Sequence, residues 1–284
     1  MYYNIIKLCR LNNPIPIIGL YLPCLWGIAW AQYYLRYPEA IKNIIFFAIA
    51  SIITRTLGCI INDIVDRDID KYVKRTKTRV LATGELSLWV AYLMILFLGT
   101  IGFYMLFWLK PLAVFFALCG AIGMIIYPFT KRFLKRPQIV LGISWNMGLL
   151  VAYTNISNRL SLSVFIVYIA SIYWMIYTDT IYAYQDIQDD LKLNVSSTAI
   201  VYQDNPKYYM RTLLSMMMLL FFVAGFIDSL SANWFYYCTI FLCTGFMLRI
   251  LTFTNLDDPI SCKNSFRANI FICFIILAAI YFGR

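Results

Sequence analysis

The sequence predicts an all-α integral membrane protein, a bundle of nine transmembrane helices formed as a single domain over residues 1–284. Three observations lead to this prediction. Hydrophobic residues make up 62% of the chain and charged residues only 13%, with a mean hydropathy of +0.72, whereas soluble domains carry about 25% charged residues. Apolar segments of about 20 residues, the length that crosses a bilayer, recur along the whole chain. Lysine and arginine cluster in alternate connections between these segments.

The apolar segments are spread evenly, which favours one domain over two. The ninth segment is short, and a basic turn over residues 131–136 separates the fourth from the fifth. The predicted spans are 15–34, 43–62, 87–107, 111–129, 138–156, 162–183, 212–230, 234–253 and 268–283.

The distribution of basic residues predicts the orientation. Seventeen of the 24 lysines and arginines fall in the N-terminal segment or in connections that follow even-numbered spans, and five fall on the other side. The positive-inside rule therefore predicts a cytoplasmic N-terminus and a C-terminus on the opposite side. These loops also explain the net charge of +10, so nucleic acid is not a predicted partner. No cleaved signal peptide is evident, and we expect the first span to direct insertion.

The residue types present limit the chemistry. The chain has no histidine, and its eight cysteines include no C-x-x-C pair. Most of these cysteines lie in apolar runs, so we expect neither a disulfide framework nor a zinc site. Acid–base or metal chemistry must therefore use carboxylates, amides, phenols and cations.

One acidic cluster follows the second span and another lies at the end of the sixth, on the same predicted side of the membrane. Each has three carboxylates in helical phase, and carboxylates at a membrane are functional candidates because they are costly there. Brought together, they would repel one another without a cation between them, and oxygen ligands favour a hard ion such as Mg²⁺, completed by substrate phosphates. The clusters hold eight of the chain's fourteen acids, namely Asp63, Asp66, Asp68 and Asp70, then Asp179, Asp186, Asp189 and Asp190.

Basic residues surround the acidic clusters in the predicted cytoplasmic connections. Carboxylates with metal, ringed by cations at the mouth of an apolar bundle, suit a substrate with a diphosphate head and a lipid tail. An Asp-rich turn followed by lysine and arginine is also typical of a solvated loop, and positive-inside loops carry cations in any case. Two clusters in helical phase favour the functional interpretation. The cations concerned are Lys74, Arg75, Arg79, Lys131, Arg132 and Lys192.

These motifs resemble the UbiA family of intramembrane aromatic prenyltransferases. The stretch Asn62-Asp-Ile-Val-Asp66-Arg-Asp-Ile-Asp70 is similar to the family's first motif, and Asp186-Ile-Gln-Asp-Asp190 is similar to its second. Further stretches, among them Lys74-Arg-Thr-Lys-Thr-Arg79 and Tyr127-Pro-Phe-Thr-Lys-Arg132, resemble the 4-hydroxybenzoate polyprenyltransferase branch. One departure is Arg79-Val-Leu81, where that branch usually has a proline after the arginine.

The resemblance implies Mg²⁺-dependent transfer of a polyprenyl group from polyprenyl diphosphate to the ring of 4-hydroxybenzoate, ortho to the hydroxyl. This is a step of ubiquinone biosynthesis, expected in the inner membrane of a bacterium. The implied metal ligands are Asn62, Asp66, Asp70, Asp186 and Asp190, supported by Asp63 and Asp179. The implied catalytic residues are Asp66, Asp70, Asp186 and Asp190. The implied substrate-binding residues are Arg55, Lys74, Arg75, Arg79, Tyr127, Lys131, Arg132, Tyr182 and Lys192, with Arg55 on the carboxylate of 4-hydroxybenzoate.

Several alternatives stay open on sequence alone. The same chemistry on dihydroxynaphthoate, homogentisate or haem would use the same carboxylates. An ion-coupled transporter is a further alternative, although transporter sites lie near the bilayer midplane rather than at helix ends. Arg55 has a second interpretation, as a structural partner of a membrane-buried acid such as Asp179. The sequence predicts neither the length of the prenyl chain nor the oligomeric state.

Overall fold

The structure is a computed structural model that describes residues 2–32, 37–228 and 233–283. Within these ranges every regular element is helical. The thirteen helices are α1 (Tyr2–Leu8), α2 (Ile15–Trp30), α3 (Tyr37–Val65), α4 (Arg67–Asp70), α5 (Leu88–Leu106), α6 (Pro111–Thr130), α7 (Gln138–Ser157), α8 (Leu162–Ala183), α9 (Ile187–Lys192), α10 (Thr198–Val201), α11 (Pro206–Ile227), α12 (Trp234–Phe253) and α13 (Pro259–Phe282).

The nine predicted spans correspond to nine long helices. Eight helices of the described chain are long and apolar enough to cross a membrane, and α2 is a shorter apolar helix. The all-α membrane fold is therefore confirmed. Several boundaries were wrong. The first spanning helix, α2, ends at Trp30, four residues before the predicted end, and residues 33–34 of that prediction lie outside the described residues.

Other helices begin earlier than hydropathy predicts. The ninth spanning helix starts at Pro259 instead of residue 268, so it is not short. Lys263 and Arg267 lie in its first turns and lower the local hydropathy, but helix geometry continues through them. Asp258 caps this helix, because its side chain accepts hydrogen bonds from the backbone N–H of Ile260 and Ser261. The seventh spanning helix likewise begins at Pro206 rather than 212, with proline at a first helical position where no N–H partner is needed.

The core lies among α2, α7, α8 and the three C-terminal helices. Trp26 is fully buried, and its ring centroid lies 5.8 Å from that of Trp174 and 5.7 Å from that of Phe221. Gly27 lets α2 approach α7 closely, because a Cβ at this position would collide with the carbonyl oxygen of Leu149. Small residues at such crossings are how membrane helices pack tightly without a hydrophobic driving force. All eight cysteines are unpaired, as predicted.

The acidic motifs lie where two long helices stop. Helix α3 ends at Val65, and Asp66 leaves helical geometry (φ −90°, ψ 3°) before the short α4 begins. Helix α8 ends at Ala183, and a turn over residues 184–186 leads into α9. The carboxylates at the two helix ends thus lie at the same end of the bundle. They border a cavity that is lined by α3, α5 and α6.

Candidate active site

A cavity of about 870 Å³ runs from this charged region into the bundle. Its walls come chiefly from α3, α5, α6 and α7, with the loop after α4 and the ends of α8 and α13 at the charged rim. Both acidic motifs line it, although they are more than 100 residues apart in sequence. The structure therefore brings the two predicted clusters together at one end of an otherwise apolar chamber.

Two arginines hold the first motif. Asp63 is only 2% exposed and accepts hydrogen bonds from Nη2 of Arg10 at 2.7 and 2.9 Å. Nη1 of Arg79 lies 3.1 Å from Asp63 and 2.6 Å from Asp70, so it bridges the two carboxylates. Asp70 is also buried, and that burial raises the pKa of its carboxyl group although Arg79 opposes the effect.

The basic turn after α6 reaches the middle of the first motif. Nζ of Lys131 donates to Asp66 at 3.0 Å and lies 3.4 Å from the side-chain oxygen of Asn62. The same ammonium lies 5.4 Å from the ring centroid of Tyr127. Arg132 donates to the carbonyl oxygen of Val65 at 2.7 Å, which satisfies an acceptor at the end of α3.

The loop after α4 ties the two motifs to each other. Nε of Arg75 donates to both carboxylate oxygens of Asp186 at 3.0 and 2.9 Å, and Nη2 donates as well. The Arg75 guanidinium also lies 5.3 Å from the ring centroid of Tyr182. One residue earlier, the backbone N–H of Lys74 donates to Asp189 at 2.8 Å. These contacts fix the distance between the two acidic helix ends.

The remaining carboxylates of the second motif differ in surroundings. Asp179 and Asp190 both line the cavity and are half-buried. Burial, helped by the negative charge of Asp186, raises the pKa of Asp190 to about 7. Asp190 is therefore a carboxyl group that needs a positive partner to stay ionised at neutral pH.

Not every predicted site residue faces the cavity. The side chains of Lys74 and Lys192 are exposed and lie outside its lining. Asp68 is also exposed and pairs with Lys71 at 2.7 Å on the outer surface. The predicted residues that do line the cavity are Arg55, Asn62, Asp63, Asp66, Asp70, Arg75, Arg79, Tyr127, Lys131, Arg132, Asp179, Tyr182, Asp186 and Asp190.

Arg55 lies deeper in the cavity, two helical turns from Asn62. Its guanidinium lies 5.2 Å from the ring centroid of Trp145. Its Nε is buried and has no hydrogen-bond partner among the described residues, and no carboxylate there comes within 4.0 Å. Arg55 therefore makes no direct ion pair with Asp179 among the described residues, although its charge acts on that carboxyl group.

No three acidic side chains of the described chain already converge on a single metal position. Four of the seven oxygen-bearing side chains predicted as ligands are carboxylates in ion pairs with arginine or lysine. The donor set nevertheless fits a hard cation, since it consists of carboxylate and amide oxygens only. The pKa of Asp190 is raised mainly by burial and secondarily by the negative charge of Asp186, which a bound cation would offset.

Sequence reasoning did not single out two of the side chains that build this site. Arg10 was only one of the basic residues near the N-terminus, and its pairing with Asp63 spans 53 positions. Trp145 lies in an apolar span, where a tryptophan is usually a packing residue. A pattern along the chain does not indicate either contact, because both depend on how α1, α3 and α7 are placed in space.

The fold and this cavity define a class: a multispan membrane protein whose apolar chamber ends in facing carboxylate motifs ringed by cations. Residues 20–275 match the UbiA prenyltransferase family, and the chain therefore belongs to that family.

A curated relative agrees with this membership, and solved structures share the fold. The 4-hydroxybenzoate octaprenyltransferase of Francisella tularensis subsp. tularensis (strain FSC 198) is 34% identical over 269 residues, which cover 95% of this chain and 93% of that relative. A UbiA homolog from Aeropyrum pernix K1 superimposes with a TM-score of 0.73 at 24% identity, covering 94% of this chain and 97% of that one. A UbiA homolog from Archaeoglobus fulgidus, solved bound to GPP and Mg²⁺, gives a TM-score of 0.70 at 14% identity over 97% and 99% of the two chains.

Proposed function

We propose that the protein transfers a polyprenyl group from polyprenyl diphosphate to the ring of 4-hydroxybenzoate, ortho to its hydroxyl, in a Mg²⁺-dependent step of ubiquinone biosynthesis. The observation that carries this proposal is the convergence of two carboxylate motifs and their cations at one rim of an apolar chamber. The 34% identical relative named 4-hydroxybenzoate octaprenyltransferase supports the choice of acceptor.

Mg²⁺ fits the oxygen-bearing side chains at the rim. Asn62, Asp66 and Asp70 would hold it on one side, and Asp186 and Asp190 on the other, with Asp63 and Asp179 behind them. Bound metal would neutralise the diphosphate as the allylic C–O bond breaks. The two acidic motifs border the same end of the cavity, where the diphosphate head would lie and where its negative charge would need a cation.

The cations of the rim would take up the rest of the diphosphate charge. Arg75, Arg79 and Lys131 donate to carboxylates of the two motifs. Once those carboxylates turn to a metal, the same donors are free to bind phosphate oxygens, which guanidinium and ammonium groups do strongly. Donors held at the rim would then stabilise the charge that develops on the departing diphosphate.

The apolar part of the cavity would hold the prenyl chain and exclude water from the allylic cation. Its lining is rich in leucine, isoleucine, methionine and phenylalanine, which would keep bulk water away from that cation. The aromatic ring of the acceptor would then attack the cation. A rim carboxylate or the released diphosphate would take the ring proton.

Arg55 is the residue proposed to bind the acceptor's carboxylate. It lies beside the Trp145 ring, lines the chamber below the acidic motifs and has no direct ion pair among the described residues. Arg55→Ala should raise the KM for 4-hydroxybenzoate far more than the KM for the prenyl diphosphate. Arg55→Lys, which keeps the charge but loses the bidentate fork, should be intermediate. Equal changes in the two KM values would reject this assignment.

The whole chain, residues 1–284, would act as one domain in the inner membrane of a bacterium, with the charged rim facing the cytoplasm. The excess of lysine and arginine in the connections on that side supports this orientation.

The test is an assay of membranes with labelled 4-hydroxybenzoate and a series of polyprenyl diphosphates, with Mg²⁺ or with EDTA. We expect transfer only with Mg²⁺. Asp66→Asn and Asp190→Asn should each abolish it. Asp68→Asn is the matched control from the same motif, because Asp68 faces outward, and it should leave transfer near the wild-type rate. Normal activity of either cavity variant, or of the wild type in EDTA, would refute the proposal.

A further inference from the structure

Two glycines of α5 form part of the wall of the apolar cavity. Ile95, Gly99, Gly102 and Leu106 all line the cavity, and their spacing of i, i+4, i+7 and i+11 places them on one face of the helix. The two glycines form the middle of this face. Among the described residues, the only side chain within 4 Å of a Cβ built at either glycine is that of Ile53 on α3.

These glycines differ from those that serve packing. A Cβ at Gly123 would lie 2.7 Å from Cβ of Ser144, and one at Gly148 would lie 2.5 Å from Sγ of Cys24, so both positions exclude any side chain. A Cβ at Gly99 would meet no heavy atom within 4 Å, and one at Gly102 would meet only Ile53 at 3.8 Å, an ordinary contact. Glycine weakens a helix relative to alanine, and neither neighbouring helices nor the backbone conformation require it at Gly99.

The position of this wall matches the path of a lipid tail. Ile53, the closest neighbour of Gly102, lies nine residues before Asn62 on α3, which is about 14 Å along the helix from the acidic motif. Arg55, two residues from Ile53, lines the same cavity, so the cavity extends from the acidic motifs to the level of Gly102. A chain attached to a diphosphate at the rim must pass α5 here.

We infer that Gly99 and Gly102 determine which prenyl chain lengths the enzyme accepts, because the absence of their side chains keeps the cavity wide beside α5. This inference rests on the proposed function, since it concerns the tail of the same diphosphate donor. Short chains end before the glycine wall or just at it, whereas long chains must run past it. A bulky side chain on this wall would therefore obstruct long donors selectively.

The experiment measures kcat/KM with farnesyl diphosphate as the short donor and solanesyl diphosphate as the long donor, at saturating 4-hydroxybenzoate. In Gly99→Phe and Gly102→Leu the ratio of long-donor to short-donor kcat/KM should fall by about tenfold or more, because bulk forced into an occupied apolar space is penalised as in an overpacked core. Gly99→Ala should change the ratio much less.

Gly245 on α12 offers a matched control. It also has open space in front of its Cα, but it is exposed on the outer surface and does not line the cavity. Gly245→Phe should leave the donor ratio at the wild-type value. An unchanged ratio in Gly99→Phe would overturn the inference. If Gly99→Phe is inactive with both donors, the series Gly99→Ala and Gly99→Leu decides, and a uniform loss across donors overturns it. A wild type that uses no donor at all would instead refute the proposed function.

Discussion

The pairing of Arg10 with Asp63 gives a prediction that can be worked out from the geometry. Asp63 is 2% exposed, and Arg10 reaches it with two short hydrogen bonds from outside the bundle. Removing one partner of a buried ion pair costs about 3–5 kcal/mol when the other charge is left alone. Arg79 remains 3.1 Å from Asp63 in Arg10→Gln, so the loss should be closer to the value of hydrogen bonds to a charged group, about 2 kcal/mol.

A double-mutant cycle measures this term directly. Arg10→Gln, Asp63→Asn and the double variant would be purified in one detergent and unfolded thermally under identical conditions. The double variant should be less destabilised than the sum of the single variants, with a coupling of about 1–2 kcal/mol, as for residues in one ion-pair network. Arg249→Gln is the control, because Arg249 is exposed and lies over the ring of Phe253 without touching this network. Strict additivity of Arg10→Gln and Asp63→Asn would refute the reasoning.

Three further predictions concern charge at the rim. The pKa of Asp190 in the folded protein, about 7, lies above its ordinary value, so the contribution of this group to the free energy of unfolding is greatest at low pH and is lost as pH rises through 7. The unfolding temperature measured in EDTA should therefore fall over this pH range, and the fall should be smaller in Asp190→Asn. Lys131→Met should raise the KM for the prenyl diphosphate at least about tenfold, since a charge-assisted contact is lost, while an unchanged KM would exclude Lys131 from the binding site. Inorganic pyrophosphate should increase the affinity for Mg²⁺ in calorimetric titrations, and equal affinity with and without pyrophosphate would contradict the proposed exchange of partners.

Most of the helical framework could be predicted from the sequence because the bilayer imposes it. A spanning segment must be apolar for about 20 residues and must satisfy its backbone internally, so hydropathy alone locates it. The ends were harder, since helices continue into the polar region where hydropathy no longer reports on them. The start of α13 at Pro259, ahead of two cations, illustrates this difference.

The acidic residues of the candidate site could be predicted because a carboxylate beside a membrane-spanning segment is energetically costly and therefore rare. Their helical phase was only partly correct: Asp66 interrupts the helix that carries the first motif, yet Asp63, Asp66 and Asp70 all turn inward. The cations were harder to assign. Lys74 and Lys131 look alike in sequence, but Lys131 contacts Asp66 whereas the side chain of Lys74 is exposed. Cytoplasmic loops carry lysine and arginine because the positive-inside rule requires them, so the sequence does not show which of these cations also belong to the site.

The ion pairs of the rim also explain how so many charges persist beside a membrane. An isolated charge in a medium of low polarity is costly, and pairs such as Asp66–Lys131 and Asp186–Arg75 reduce this cost. If these carboxylates bind a divalent metal, as proposed, Lys131 and Arg75 would lose their acceptors and would need another anion. A diphosphate is the anion that supplies several oxygens at once. Metal and diphosphate must then each favour the binding of the other by the same free energy, because coupling between two sites is reciprocal.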